Sequence, residues 1–551
     1  MHLSNSVQTS SGSQEKQRSP AKSQYWVFGL IMLIATFVLF YELGVRTLNN
    51  WDEAIYAQVS KEIVNSGDWL TLHWGYAPWY HKPPLFMWMT ALLYRLFEVN
   101  EFWARAASAL SGLGVVGVTY LISQRLYGRL TAVFSVGVLL TNFSFVHYAR
   151  FGTTDVTLAL FIFISIYAYL RAVAGAHRWW YLAWFAMASA LMTKGVAGLI
   201  VPIAILTALL VDRQLWPTLR LKTFWRGSLV AALIVLPWHG IALYQHGQAF
   251  VDQYFLYHVV ERSTNGIEGN EGGPAFYFLK LGKKFFPWVW LLPMAFALQI
   301  KEQIQEQIKK SSSASSLGQN QAPSQSSRIL LVLVLVVLGG FTLVGTKLEW
   351  YVVPCYPVFA IWIGHLITQA IRYRYSASFV SLLVVAAAVC VLAPQRVTFL
   401  SPPAQMAVAG FGLVGLTAIS GYFLRFAKGY QAVSLVLCGV LVLAGVREIR
   451  GLYLEVPSPV AALAESARQS ANPNNEELIV VSLSEDLYMP TALFYSNRPI
   501  RWVRSVNDLE MVTEGEAVLA EEDIELLSRQ YEFQVFSKAD DLAYGKISKR
   551  G

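Results

Sequence analysis

Charge is what this sequence has least of. Only 14% of its 551 residues are Asp, Glu, Lys or Arg and 55% are hydrophobic, whereas an ordinary soluble domain carries about 25% charged residues. The deficit is concentrated in repeated apolar stretches near the roughly 20 residues needed to cross a bilayer. The composition therefore predicts a polytopic membrane protein and argues against a soluble enzyme. Cysteine is almost missing. Cys355, Cys390 and Cys438 all lie in apolar runs, which excludes disulfides in exposed loops and any cysteine-spaced metal site. The first 24 residues, rich in Ser, Gln and Lys, are expected to form a disordered cytoplasmic tail. The apolar stretch that follows, 25–44, is too long for a cleaved leader and lacks a small-residue cleavage site. The net charge of +8 points to cytoplasmic loops and not to nucleic acid.

The apolar pattern predicts about 13 spans: 25–44, 105–127, 130–149, 154–174, 179–195, 196–212, 228–245, 276–298, 329–345, 350–370, 377–394, 405–424 and 431–447. With the N-terminus inside, each inner loop holds at least two basic residues, such as Arg125 with Arg129, Arg171 with Arg178, and Arg372 with Arg374. That bias supports this orientation. The segment 83–99 is apolar but short and interrupted by Arg95. Counting it as a span would invert every later loop, so it is expected to lie along the outer interface. The spans divide the chain into a transmembrane region, 25–450, with outer loops 45–104 and 246–275 and a cytoplasmic linker 299–328. After about residue 450 the composition becomes that of a soluble protein. LIVVSL, IRWVR and YEFQVFSK read as strands, and SEDLYMPTALFYS, NDLEMVTEG and EEDIELLSRQ as helices. The fold class expected is mainly α and polytopic, with a small outer α/β domain over 451–551.

This topology gathers the unusual polar residues on one side. Asp52, Lys61, Glu62, His81 and Lys82 lie in the first outer loop, Arg150 and Asp155 in HYARFGTTDVT, and Lys194 in LMTKG. His258, Glu261 and Arg262 follow in loop 246–275, Lys280, Lys283 and Lys284 start the next span, and Lys347, Glu349 and Tyr351 sit in TKLEWY. Outer loops are normally poor in Lys and Arg, so basic residues kept there suggest an anionic ligand. A cationic rim around the carboxylates Asp52 and Asp155 suits a lipid phosphate beside a general base. Each residue also has a plainer reading. Asp52 and Asp155 could cap helices, Lys82 could snorkel at the interface, and His258 could be an ordinary loop histidine. Gly112, Gly114 and Gly117 read as close helix packing.

WDEAIYAQVSKEIVNSGDWL followed by HKPPLFMWMTALLYRLF, with YARFGTTDVTLALF, LMTKGVAGLIVP, FLYHVVERST and KLEWYVVPCYP in order, resembles the GT-C membrane glycosyltransferases of the aminoarabinose lipid A transferase type. These fall near the protein O-mannosyltransferases. The resemblance covers roughly residues 25–370. It implies transfer of a hexosyl or pentosyl unit from a polyprenyl phosphate to a lipid or envelope-glycan acceptor, on the periplasmic side of a bacterial inner membrane. It assigns Asp52 as the base and Asp155 as a second acidic site residue. Lys82, Arg262 and Tyr351 match positions that hold the polyprenyl phosphate, and Lys347 is a further basic residue beside them. His81 stands where the family often has Glu, and His258 matches a histidine that can join that Glu at a metal. A His81–His258 pair could still bind a divalent ion such as zinc, imidazole being a normal ligand, but two ligands do not establish a site.

The implied chemistry accounts for one carboxylate where glycosidases need two. A departing phosphate monoester is already a stable anion, with a second pKa of about 6, so it needs positive charge more than a proton. A hydroxyl acceptor does need a base. Two alternatives compete: protein O-glycosylation on Ser or Thr, and a non-enzymatic lipid-linked-sugar transporter. The latter predicts mid-membrane charges and pseudo-repeats, whereas the charges here cluster at one outer boundary.

Overall fold

The computed structural model describes residues 20–372, apart from 268, 286–287 and 314–326, and residues 458–550, apart from 470–476, 484–489 and 511. The expected spans 377–394, 405–424 and 431–447 lie outside the described residues, as do Cys390, Cys438 and most of the N-terminal tail. Helix α1, Pro20–Phe40, leads to α2, Asp52–Ser66, a two-residue hairpin of β1, His73–Trp74, and β2, Ala77–Pro78, and then α3, Leu85–Leu96. The membrane region continues with α4, Glu101–Tyr127, α5, Arg129–Leu140, α6, Phe143–Ala149, α7, Thr154–Val173, α8, Trp179–Lys194, and α9, Ile200–Val211. It closes with α10, Lys222–Phe250, α11, Phe276–Lys284, α12, Leu292–Ser313, α13, Arg328–Leu343, and α14, Tyr356–Arg372.

Five helices among the described residues are long and apolar enough to cross a membrane, or six if α5 and α6, bent by 73°, form one broken span. The break follows from Asn142, whose side chain accepts the Phe145 N–H at 2.8 Å and restarts the helix. Two expected boundaries shift. The outer loop 246–275 is largely helical, because after a kink at Gly247 the helix resumes in wide π-type turns over 251–261. The linker 299–328 is helical as far as Ser313. Helix α3, at 12 residues, is too short to span and packs on α2 and α4. The core runs through α1, α4, α5, α7, α9, α13 and α14. Gly112 and Gly114 behave as their spacing predicts: a Cβ on either would meet Ala149 or Leu160 at 2.7 Å.

In the C-terminal part, β3, Leu478–Val481, β4, Ile500–Val503, β5, Glu514–Ala520, β6, Tyr531–Ala539, and β7, Leu542–Lys549, form one mixed sheet in the order β4-β3-β5-β7-β6. Two strands differ from expectation. NDLEMVTEG is helical only over Val506–Leu509 before β5 begins, and β7 has no counterpart in the sequence reading. Both owe their conformation to antiparallel pairing with each other, Glu514 opposite Ser548 through Ala520 opposite Leu542. Tertiary pairing overrides local propensity there.

The domain is tied to the membrane region at defined points. The Tyr495 hydroxyl donates to Glu101 and accepts the Leu48 N–H, both at 2.8 Å. Lys61 Nζ donates to the Phe494 carbonyl at 2.8 Å, and the Thr491 hydroxyl donates to Asn50. Glu62, one of the outer charges, also does structural work. Its carboxylate accepts the Gly75 and Tyr76 N–H groups at 2.9 and 3.0 Å, holding both turn residues at positive φ, as a type I′ hairpin requires. Glu62→Ala is therefore expected to loosen 72–79, at a cost of about 1–3 kcal/mol for the orphaned donors. Faster amide exchange confined to the hairpin would show it, and unchanged protection would refute it.

Candidate active site

Helix α2 begins at Asp52, after Trp51, which sits at φ 71° and ψ −134° with no side-chain cap. Asp52 is therefore not the cap that its position allowed. The Tyr56 hydroxyl lies one turn on, close enough to feel the Asp52 carboxylate. Burial, then the Asp52 and Asp155 charges, push the Tyr56 hydroxyl well above its ordinary range, so it stays a donor. The neighbouring Glu53 points the other way and is fully buried. It accepts from Arg105 at 2.8 and 3.0 Å, from the Asn49 N–H at 2.8 Å, and from the Gly152 N–H at 2.9 Å. Burial alone would raise its pKa, but Arg105 and the two backbone donors outweigh this and hold it below the usual range. Arg105 in turn donates to the carbonyls of Leu43, Arg46 and Thr47. Gly152 permits the approach, since a Cβ there would lie 3.1 Å from the Ala104 carbonyl oxygen. Sequence reasoning gave Glu53, Arg105 and Tyr56 no role in the site. The one available signal was an arginine five residues into the α4 span.

Lys82 enters the same space from the end of the first outer loop. Burial and the Arg262 charge, against the pull of Asp52, push its pKa down to about 8, leaving it mostly cationic at neutral pH. His81 is pushed down to about 4 by burial, Lys82 and Arg262, and so is a neutral imidazole. Its ring centroid lies 4.3 Å from that of His258, whose two nitrogens are buried without a hydrogen-bond partner. The His81–His258 juxtaposition expected from the resemblance is thus present. Among the described residues, however, no three His, Cys, Asp or Glu side chains converge, and a zinc site needs three or four protein ligands. The donor set falls short of a metal site.

Asp155 is likewise no cap. It forms a buried ion pair with Lys194 at 2.5 Å, and Lys194 Nζ lies 5.3 Å above the Tyr351 ring. Tyr351 is buried against Phe341. Four of the predicted cationic side chains are absorbed elsewhere. Lys347 donates to the Phe341, Thr342 and Val344 carbonyls, satisfying acceptors at the end of α13 that have no helical partner, and it is not among the side chains that line the cavity. Lys280 and Lys284 both pair with Glu349. Arg150 donates to the Val38 and Leu39 carbonyls at the end of α1.

Two cavities meet at this cluster. One, of about 550 Å³, is walled by apolar side chains such as Leu199, Ile203 and Val336, and carries Lys82, Lys194, Arg262 and Tyr351. The second, of about 350 Å³, holds Asp52, Tyr56, Trp51 and Trp79. His81, Lys82, His258 and Arg262 line both. An apolar slot ending in cations suits a lipid phosphate, and a chamber bearing the Asp52 carboxylate suits a hydroxyl-bearing reactant.

Two crystal structures of ArnT from Cupriavidus metallidurans share the architecture. The form bound to undecaprenyl phosphate superposes with TM-score 0.67 at 22% identity, covering 95% of this chain and 98% of that one. The apo form gives 0.70 at 21%, covering 96% and 98%. The chain has the fold of these two structures. Residues 81–241 match the family model described as dolichyl-phosphate-mannose-protein mannosyltransferase. An undecaprenyl phosphate-alpha-4-amino-4-deoxy-L-arabinose arabinosyl transferase 1 of Pseudomonas fluorescens is 31% identical over 357 residues, 62% of this chain and 60% of that protein. The corresponding transferase of Shewanella sediminis is 28% identical over 349 residues, 61% and 59% of the two chains. The match thus spans about three fifths of the length of these relatives.

The Glu53–Arg105 pair gives a direct test. Removing one member leaves the other charge buried and unpaired, a loss of about 3–5 kcal/mol. Glu53→Ala and Arg105→Met should each lower the thermal midpoint in detergent sharply, and the double variant should fall well short of their sum. Additive effects would contradict the coupling.

Proposed function

We propose that this chain is a membrane glycosyltransferase that moves a sugar from a polyprenyl phosphate to a lipid or envelope-glycan acceptor on the outer face of a bacterial inner membrane. The observation that carries the reading is the pair of cavities separated by Lys82 and Arg262, apolar on one side and bearing Asp52 on the other. The layout that goes with it is about 13 spans and an outer C-terminal domain. The relatives whose names specify undecaprenyl phosphate as sugar carrier support the donor class.

In this mechanism the isoprenoid chain lies in the apolar slot and its phosphate meets Lys82 and Arg262, with Lys194 alongside. Arginine can engage two phosphate oxygens at once. As the anomeric C–O bond breaks, its electrons pass to the phosphate oxygen, and the two cations stabilise the growing charge. Asp52 takes the proton of an acceptor hydroxyl as that oxygen attacks, with the Tyr56 hydroxyl beside the carboxylate. The base and the cationic wall lie on different sides of the transferred sugar, so a single in-line displacement inverts the anomeric carbon. Asp155 acts through Lys194, holding its ammonium group in place; it is a positioning residue. No step passes through the His81–His258 pair. The match to the mannosyltransferase model favours one second reading, transfer to Ser or Thr of a secreted protein.

With radiolabelled undecaprenyl phosphate sugar and purified protein, Asp52→Asn should lower transfer by roughly 10²–10⁴-fold, the usual scale of a general base, while undecaprenyl phosphate still binds. Wild-type turnover in that variant would end the assignment. Lys82→Met should weaken undecaprenyl phosphate binding by about 10-fold or more, the scale of one charged hydrogen bond. Glycans lost from secreted proteins, with envelope lipids intact, in a deletion strain would favour the second reading.

A further inference from the structure

A third cavity, of about 340 Å³, adjoins the Asp52 chamber. The two share Ile55, Trp79 and His81. Its remaining walls come from the β1–β2 hairpin, from Gln253 in the π-type turns, and from the C-terminal domain, which supplies Leu493, Ile500 and Trp502. The same domain places Arg504 in the lining of the Asp52 chamber itself. Together the two cavities form one vestibule, floored by Asp52 and roofed by the sheet edge strand β4 and the residue after it.

Three features give the vestibule a defined shape. The C-terminal domain is anchored to α2 and the 47–50 segment by Tyr495, Lys61 and Thr491, so its edge strand is held over Asp52. Arg504 is set by a capping box: Ser505 and Asp508 bond reciprocally, and Asp508 also accepts the Arg504 N–H at 3.2 Å. Trp51, next to the base, is held at φ 71° with its ring half-exposed at the rim. A bulky side chain at positive φ costs on the order of 1–3 kcal/mol and marks a constrained functional position. The donor slot contains neither Asp52 nor any C-terminal residue. An acceptor must approach the anomeric carbon opposite the leaving phosphate, and that is the vestibule side.

We propose that the C-terminal domain completes the acceptor site: the vestibule binds the saccharide part of an anionic acceptor, with Trp79 and Trp502 as apolar faces and Arg504 as the contact for its negative charge. Aromatic rings offer rigid, amphipathic surfaces of the kind a sugar face can lie on. Arg504 presents a planar donor fork suited to phosphate or carboxylate. The inference rests on the glycosyltransferase reading but concerns which residues select the acceptor, and its test separates the two.

The test uses full-length protein in nanodiscs, with Trp502→Ala, Arg504→Ala and Arg504→Lys. The probes are undecaprenyl phosphate, a glycolipid whose saccharide head carries phosphate, and the same glycolipid without phosphate. Trp502→Ala and Arg504→Ala should each weaken the phosphorylated glycolipid by about tenfold or more, the scale of a charge-assisted contact. Arg504→Lys should recover part of the loss, and undecaprenyl phosphate affinity should stay within about twofold, below any tenfold step. The dephosphorylated glycolipid should bind more weakly and ignore Arg504→Ala. In turnover, the acceptor KM should rise with kcat at saturation retained. Equal glycolipid binding by all variants, parallel loss of undecaprenyl phosphate binding, or displacement of the glycolipid by Ser/Thr peptides would each overturn the proposal. If no sugar is transferred yet the binding pattern holds, the glycosyltransferase reading fails and the saccharide site stands.

Discussion

A buried ion pair sets the geometry on which the candidate site depends. Glu53 and Arg105 lie in a region with almost no access to water, where either charge alone would be costly. Between them they bond to the end of α1, the 46–49 segment, the start of α2, helix α4 and the turn before α7. That single node fixes the direction in which α2 leaves the membrane region. Because Asp52 precedes Glu53 by one residue, locking Glu53 inward turns Asp52 outward into the chamber. The adjacent acids thus divide into an anchor and a reactive group through their environments alone.

Electrostatic balance organises the rest. Five ionisable side chains converge where apolar helices would otherwise exclude them, and each interaction that relieves one constrains another. Asp155 neutralises Lys194, which lies over Tyr351. Lys82 and Arg262 repel each other and both face the Asp52 chamber. An anion between Lys82 and Arg262 would relieve that repulsion, which is why the cluster suits a phosphate. His81, pressed by the same two cations, remains neutral and adds no charge to compete with them.

Much of this was legible in the sequence. The scarcity of charge and the apolar runs implied a polytopic protein, and the clustering of Asp52, Lys82, Asp155, Arg262 and Tyr351 at one boundary pointed to one site. Local pattern could not distinguish a lysine that meets a ligand from one that ends a helix. Lys347 and Lys82 are both loop lysines beside apolar helices, yet Lys347 is consumed by three backbone carbonyls. Nor could it foresee that Lys280 and Lys284 share Glu349. Strands β5 and β7 escaped notice because their conformation depends on each other and not on strong local propensity.

By itself the sequence determined the class of protein and the inventory of chemistry, because hydropathy and residue type are properties of the chain alone. The distribution of Lys and Arg also carried an expectation of the side of the membrane on which its charges collect. Tertiary structure alone decided which of those charges face one another. Asp155 and Lys194 are 39 positions apart, Arg105 and Glu53 are 52 apart, and Trp502 reaches a cavity walled by Trp79. Pairing, burial and the facing of two cavities depend on distances in space, and spacing along the chain does not carry them.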